Sequence, residues 1–147
     1  MIELFPLELQ YCETVADIAK QCLPESWSLE GIQDVLRYKH NIYYVAKDRD
    51  LDTVVAFAGI MIVADEAELL NIAVLESYRR QGIAQRLMEK LLVQAKDNSA
   101  YRMLLEVRRS NMSAQCFYEK NRFTMLGERK NYYSNPVEDA IIMERLL

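Results

Sequence analysis

Asn71-Ile72-Ala73-Val74, a polar loop from Leu75 to Gln81, then Gly82-Ile83-Ala84 at the head of a long amphipathic run: this stretch decides the fold. The first four residues close an apolar segment that begins near Glu68, and that segment predicts a strand over Glu68 to Val74. Beyond Gly82, residues Ile83, Leu87, Leu91 and Ala95 fall on one helical stripe with Met88 and Leu92 beside it, and Asp97-Asn98-Ser99 ends the run. A strand that turns into a helix through Arg79-Arg80-Gln81 offers an anion site on elementary electrostatic grounds. The first helical turn leaves about four N–H groups without partners and carries roughly half a positive charge. Gly82 and Ala84 present almost no side chain, so an anion can approach the backbone there, and Arg79 and Arg80 add charge suited to a phosphate or pyrophosphate. The pattern R-x-x-G-x-A is neither the dinucleotide G-x-G-x-x-G nor a P-loop, since no G-K-[ST] follows; alone, it also fits an ordinary helix start.

Upstream, Val15, Ile18, Ala19 and Cys22 recur at helical spacing, Pro24 ends that helix, and Ser28 caps a second one through Ile32, Val35 and Leu36. Asn41 to Ala46 and Thr53 to Val63, rich in β-branched and aromatic residues, flank the polar turn Lys47 to Asp52 and predict an antiparallel hairpin. Downstream, Met103-Leu104-Leu105-Glu106-Val107 reads as a buried strand with one charge in it. Asn111 to Glu119 reads as a shorter helix, and Ala140 to Met143 as a last strand. The order ααβββαβαβ with a mixed sheet predicts one α/β (α+β) domain over residues 1–147.

Composition bounds the function. With 51% hydrophobic and 27% charged residues, and only four glycines and three prolines in 147 residues, the chain is globular, neither collagen-like nor low-complexity. A net charge of −4 argues against non-specific nucleic-acid binding and favours a cationic partner. Cys12, Cys22 and Cys116 form no C-x-x-C pair, and one histidine, His40, cannot complete a zinc site with them, so no metal is expected. Unpaired thiols fit a reducing compartment. The N-terminal segment Met1 to Pro6 shows no secretory pattern, and the longest uncharged apolar run, Val54 to Ala64, falls short of the roughly 18 residues that span a bilayer. A soluble cytoplasmic protein is expected.

The strand, R-x-x-G-x-A loop and amphipathic helix together resemble the acetyl-CoA pyrophosphate site of the GCN5-related N-acetyltransferase (GNAT) superfamily. Glu106-Val107-Arg108-Arg109-Ser110-Asn111, Ala114, Phe117-Tyr118-Glu119-Lys120 and Phe123 resemble the same superfamily. The tail, Gly127-Glu128-Arg129 with Asn131-Tyr132-Tyr133 and Glu138 to Met143, is similar to its ribosomal-protein-alanine N-acetyltransferases. The resemblance covers about Ala67 to Met143, and the first half agrees only in its order of elements. It implies a GNAT-like domain with a sheet splayed at its centre, and acetyl-CoA wedged between the third strand of the order above and the strand carrying Glu106. It further implies that Ile72, Ala73 and Val74 hold the pantetheine arm and that Arg79, Arg80, Gln81, Gly82, Ile83 and Ala84 hold the pyrophosphate. Asn111 would contact the cofactor, Glu106 act as base and Tyr118 as acid. The implied reaction is transfer of acetyl to the N-terminal alanine of the eighteenth small-subunit ribosomal protein, whose basic N-terminal segment would be the partner. The sequence departs from the family at Ala84, where glycine is common, and at Arg122, where glycine usually precedes Phe123; Asn121 is expected to end the helix at positive φ instead.

The residue types suit that chemistry. An α-amino group titrates near 7.7–8.0, so part of it is already neutral at pH 7, whereas a lysine near 10.4 costs roughly 3.4 kcal/mol more to neutralise. Glu106 can collect the remaining proton directly or through water, and Tyr118 can hydrogen-bond the departing sulfur. Glu106 also reads as a charge paired with Arg108 or another base at the sheet end, and Tyr118 as core packing with an exposed hydroxyl. Glu66, Glu68, Glu138 and Asp139 can meet a basic peptide or form a solvated acidic face. Tyr132 and Tyr133 can grip a peptide or pack on the sheet. A thiol nucleophile at Cys116 would need a neighbouring histidine, which the sequence does not supply. The remaining alternatives are transfer to lysine or a small amine, and a non-catalytic acetyl-CoA-binding module that needs the phosphate loop but neither Glu106 nor Tyr118.

Overall fold

In the computed structural model, which describes residues 1–23 and 27–147, a seven-stranded sheet runs through the molecule in the order β1-β2-β3-β4-β5-β7-β6. The strands are β1 Ile2–Pro6, β2 Asn41–Asp48, β3 Thr53–Val63, β4 Glu66–Val74, β5 Arg102–Arg108, β6 Thr124–Tyr133 and β7 Glu138–Leu146. The helices are α1 Cys12–Cys22, α2 Leu29–Val35, α3 Ile83–Asp97 and α4 Met112–Lys120. Only β4 and β5 pair in parallel, joined by the α3 crossover; all other neighbours are antiparallel. The mixed, mostly antiparallel sheet of a single α/β domain is as expected.

Two clusters of buried side chains divide the core by sheet face. Leu87, Met88, Leu91 and Ala95 of α3 pack on Ala67, Leu69, Met103 and Leu105, with Tyr118 and Phe123 closing that cluster. Val15, Ile18 and Ala19 of α1 and Ile32 and Val35 of α2 pack on the other face against Val45, Phe57 and Ala73. Ser28 caps α2 as expected, its Oγ accepting the Gly31 N–H at 3.0 Å. The expected stop at Pro24 lies outside the described residues.

The sheet's central feature is how little β4 and β5 share. Their rungs are Glu66–Arg102, Ala67–Met103 and Glu68–Leu104, after which β4 runs on to Val74 and β5 to Arg108 without pairing. The register of β4 against β3 slips between Leu69 and Asn71, so Leu70 is an extra residue. A bulge of this kind bends its strand, and this one lies two residues past the last shared rung. The splay expected at the sheet's centre is therefore built into β4.

Several elements differ from expectation. Strands β1 and β6, which the pattern reading leaves as irregular chain, pair with β2 and β7. Gly82 is the N-cap of α3, at φ +78°, and the helix proper starts at Ile83. The end of α4 also corrects the reading: Asn121 sits at φ −92°, and Arg122 takes the left-handed position at φ +69°. The Phe123 N–H bonds the Tyr118 carbonyl and the Arg122 N–H bonds that of Glu119, a Schellman ending whose glycine position is filled by arginine. Asn121 serves instead as a buried clamp. Its side chain exchanges two hydrogen bonds with Gln85 of α3, at 2.9 and 3.0 Å, and donates a third to the Phe117 carbonyl.

Candidate active site

Where β4 and β5 part, a cleft of about 1420 Å³ opens. Its walls are the end of β4, the start of α3, the end of β5, α4, and the Tyr132–Ser134 corner of the β6–β7 hairpin. Every residue assigned a site role from the sequence lines it except Gln81.

The β4–α3 side supplies unused backbone. Past Glu68, β4 carries no strand partner on its β5 side, which leaves Ile72, Ala73 and Val74 on an edge unpaired by β5, with only the Val74 carbonyl taken up by the side chains of Arg79 and Cys22. The first bond within α3 runs from the Arg86 N–H to the Gly82 carbonyl, so the N–H groups of Ile83, Ala84 and Gln85 precede the ladder, and no side chain caps them. The positive φ of Gly82 aims this turn, and a Cβ there would meet nothing within 4 Å. Ile83 buries its side chain in the core, which leaves only its backbone to the cleft. The two arginines differ. Arg79 folds back on β4, its Nε donating to the Val74 carbonyl at 3.0 Å, whereas Arg80 is exposed in a left-handed conformation at φ +64°.

The β5 side carries the titratable groups. Glu106 stands on the same face of β5 as Leu104, just past the last rung shared with β4. Its Oε2 is buried and has no hydrogen-bond partner, and its Oε1 lies 3.8 Å from Arg129 Nε. Of the bases expected as alternative partners for Glu106, the one beside it is Arg129 at the sheet end, not Arg108: Arg108 Nη1 reaches Glu138 at 3.2 Å and the Pro136 carbonyl at 3.0 Å, and its guanidinium lies over the Tyr133 ring at 4.4 Å. Tyr132 stands edge-on to Tyr133 at 5.0 Å; burial, then hydrogen bonding toward Glu106, holds its hydroxyl above the usual range. Glu68, across the parting strands, is pushed above the ordinary carboxylate range by burial and then by the Glu106 charge, with Arg129 pulling the other way.

On α4, the Tyr118 ring is buried between Phe117 and Phe123, and burial pushes its hydroxyl up to about 12. Asn111 caps α4, its Oδ1 accepting the Ala114 N–H at 3.1 Å, so its amide N–H₂ is the end left for a ligand. Cys116 is exposed on α4, and the His40 ring lies tilted against Tyr38 at 5.4 Å. Among the described residues no group of three or more His, Cys, Asp or Glu could hold a metal ion, and no helix is long and apolar enough to cross a membrane.

The acidic face divides sharply. Glu66 binds Arg102 at 2.5 Å, and that hydrogen bond is the main reason its carboxyl lies below the ordinary range. Glu138 accepts the Ser110 N–H at 2.6 Å, and Asp139 accepts the Asn131 N–H at 2.9 Å and Lys130 at 3.1 Å. Of the four acidic residues expected to meet a basic peptide, only Glu68 lines the cleft. Sequence reasoning missed Arg129 as a site residue altogether, and placed Glu68 on a surface when it stands beside Glu106. The alternation of β5 and the length of β4 hold no sign of that pairing; only the register of the two strands brings it about.

Comparison with known proteins agrees with this geometry. The chain is 32% identical over 140 residues to the [ribosomal protein bS18]-alanine N-acetyltransferase of Salmonella typhimurium, covering 88% of this chain and 95% of that protein. The crystal structure of the ribosomal-protein-S18-alanine N-acetyltransferase from Escherichia coli superposes with a TM-score of 0.89 at 30% identity, over 99% of this chain and 94% of that one. Ard1 from Thermoplasma volcanium superposes with a TM-score of 0.90 at 28% identity, over 99% and 97% of the two chains. The model of the acetyltransferase (GNAT) family matches residues 12–123, from the first residue of α1 to the end of the turn after Tyr118. With that match running across both walls of the cleft, the chain belongs to the acetyltransferase (GNAT) family.

Proposed function

We propose that this protein transfers the acetyl group of acetyl-CoA to the N-terminal α-amino group of a protein, the N-terminal alanine of the ribosomal protein bS18 being the acceptor. The observation that carries this reading is the parting of β4 and β5 beyond Glu68–Leu104, with an unpartnered Glu106 oxygen inside the opening. The residues suit acetyl-CoA: a free strand edge for an amide-bearing arm, and three uncapped N–H groups behind a glycine for a pyrophosphate. Acetyl-CoA, when bound, supplies an activated thioester.

The chain's own residues do the rest. Ile72, Ala73 and Val74 hold the pantetheine arm through the β4 edge. The turn from Arg79 through Gln81 and Gly82 to Ile83 and Ala84 holds the pyrophosphate, with Arg80 as its exposed charge and Arg79 bracing the end of β4. Asn111 donates its amide to the cofactor. Glu106 takes a proton from the acceptor ammonium and so frees the nitrogen lone pair. Tyr118 donates a hydrogen bond to the leaving sulfur. With its hydroxyl pushed up to about 12, full proton transfer to a thiolate of ordinary pKa about 8.5 would be uphill by about 5 kcal/mol, so Tyr118 stabilises charge and does not surrender its proton. Tyr132 and Tyr133 form the rim along which the acceptor peptide lies. An α-amine needs about 3.4 kcal/mol less help than a lysine to become neutral, which favours an N-terminus as acceptor. The reaction fits the cytoplasm, where ribosomal proteins are made.

Steady-state kinetics of Glu106→Gln with a peptide beginning Ala tests this assignment. We expect kcat about a hundredfold lower with the KM for acetyl-CoA unchanged, and a deficit that narrows toward pH 9 as more of the amine is neutral without help. Wild-type kcat in the variant across that range would remove Glu106 from the reaction.

A further inference from the structure

Three cleft-lining groups, Glu68 from β4, Glu106 from β5 and Tyr132 from β6, stand within electrostatic reach of one another and of Arg129 on β6. The role of Glu68 inferred below rests on the N-terminal transfer reading, in which Glu106 and Tyr132 have roles and Glu68 has none. Yet Glu68 is the one cleft-lining member of the acidic face, since Glu66, Glu138 and Asp139 are each engaged by a basic side chain or a backbone N–H. Its position is fixed by the last β4–β5 rung, opposite Leu104, which sets its side chain on the same sheet face as Glu106. Two half-buried carboxylates facing one exposed arginine, 3.8 Å from Glu106, carry more negative charge than the site neutralises. The buried Glu106 oxygen without a donor shows where the deficit lies.

We propose that Glu68 determines the site's preference for a cationic acceptor: its carboxylate, set beside Glu106, holds the incoming N-terminal ammonium before the proton is removed. The ammonium brings three donors, enough for one hydrogen bond to Glu68, one to the orphaned oxygen of Glu106 and one left for water or substrate backbone. Bound there, its positive charge and hydrogen bond offset both effects that disfavour charge on Glu68, the burial and the neighbouring carboxylate. One N–H bond then breaks as an O–H bond forms on Glu106, and the electron pair stays on nitrogen for attack on the thioester carbon; as the C–S bond breaks, the second proton lost by nitrogen leaves with the CoA thiol, and Glu106 returns its own proton to water. Glu68 remains ionised throughout. After acetylation the acceptor is a neutral amide; once Glu106 has shed its proton, the two carboxylates lack their shared counter-ion, and the product is held less tightly than the substrate. Glu68 is thus a specificity residue that acts on binding, while Glu106 acts on the proton.

The test compares two versions of one Ala-initiated basic peptide, with a free and with an acetylated N-terminus, binding to the protein with CoA present so that no acetyl group can transfer. Wild type is expected to bind the free amine at least about tenfold more tightly than the acetylated peptide, and Glu68→Gln to lose about tenfold of that ratio with CoA affinity unchanged. Glu68→Asp, which keeps the charge, should recover part of the ratio, which a packing role would not do. An unchanged ratio in Glu68→Gln, or an equal loss of CoA binding, overturns the proposal. Wild-type transfer to the free peptide is measured alongside by mass spectrometry. Transfer with an unchanged ratio removes Glu68 alone, whereas no transfer to any N-terminus removes the reaction and the role of Glu68 with it.

Discussion

Gly59 and Tyr43 are direct partners across β3 and β2, and the Tyr43 ring lies flat over the glycine. A Cβ built on Gly59 would fall inside van der Waals contact with three atoms of that ring, so Gly59→Ala cannot be accommodated unless the ring leaves. The ring is 5% exposed, stacks on Phe57 at 6.5 Å, lies 6.0 Å from Trp27, and donates its hydroxyl to Asn71 Oδ1 at 2.6 Å. Overpacking costs about 1–3 kcal/mol, and the buried hydrogen bond adds about 1 kcal/mol. Against this, alanine in a strand is worth about 0.5–1 kcal/mol over glycine. The net expectation is a loss of about 1–3.5 kcal/mol, read as a lower urea midpoint at unchanged m-value. The sign depends on the ring. In a Tyr43→Ala background, itself destabilised, the same Gly59→Ala change should become neutral or stabilising by up to about 1 kcal/mol, and the double-mutant cycle isolates the clash. Asn71 lines the cleft, so the single variant should also lose activity. A Gly59→Ala protein as stable as wild type would refute the reasoning.

Tyr118→Phe should lower kcat about a hundredfold with little change in the KM for acetyl-CoA, because one hydrogen bond to developing charge is lost while the ring still fills its place between Phe117 and Phe123. Arg122→Gly should raise stability by about 0.5–1 kcal/mol, the relief of a left-handed arginine less the entropy of glycine, seen as a melting temperature about 2–4 °C higher. Glu68→Gln should raise the melting temperature near neutral pH. A carboxyl whose folded-state pKa is raised penalises the fold at pH above that raised value, and the penalty vanishes as pH falls below the ordinary 4.5. The variant's advantage should therefore disappear in acid, and an advantage that persists there would contradict burial as its cause.

How far the sequence was legible depends on what each segment packs against. Helix α3 and strands β3 and β5 bury one face or both, so their apolar spacing announces them, and the loop before α3 could be read from Arg79, Gly82 and Ala84. Strand β6 could not. It is an edge strand, its residues Thr124 to Tyr133 are mostly exposed on both faces, and its pairing with β7 slips twice, so no alternation survives. Strand β1 is five residues long and ends in Pro6, too short for a period to show. At the end of α4 the expectation followed propensity, asparagine being more tolerant of positive φ than arginine. Burial of Asn121 against Gln85 overrides it and passes the left-handed position to the exposed Arg122. In the site, residues that local sequence marks line the cleft, whereas neighbours made by strand register carry no mark in the sequence. Glu68 and Arg129 reach Glu106 from strands far apart in the chain. Nothing in the spacing of Arg79 shows that its side chain turns back to Val74.

The opening between β4 and β5 is proposed above all to acetylate a protein N-terminus. The most direct measurement is tandem mass spectrometry of a basic peptide that begins with Ala and contains internal lysines, after incubation with the protein and acetyl-CoA. The expected result is a single acetyl group on the α-nitrogen of Ala, none on lysine, and none on free polyamines or amino acids in parallel reactions. Acetyl groups on lysine, or on the free amines with the peptide N-terminus untouched, would contradict it.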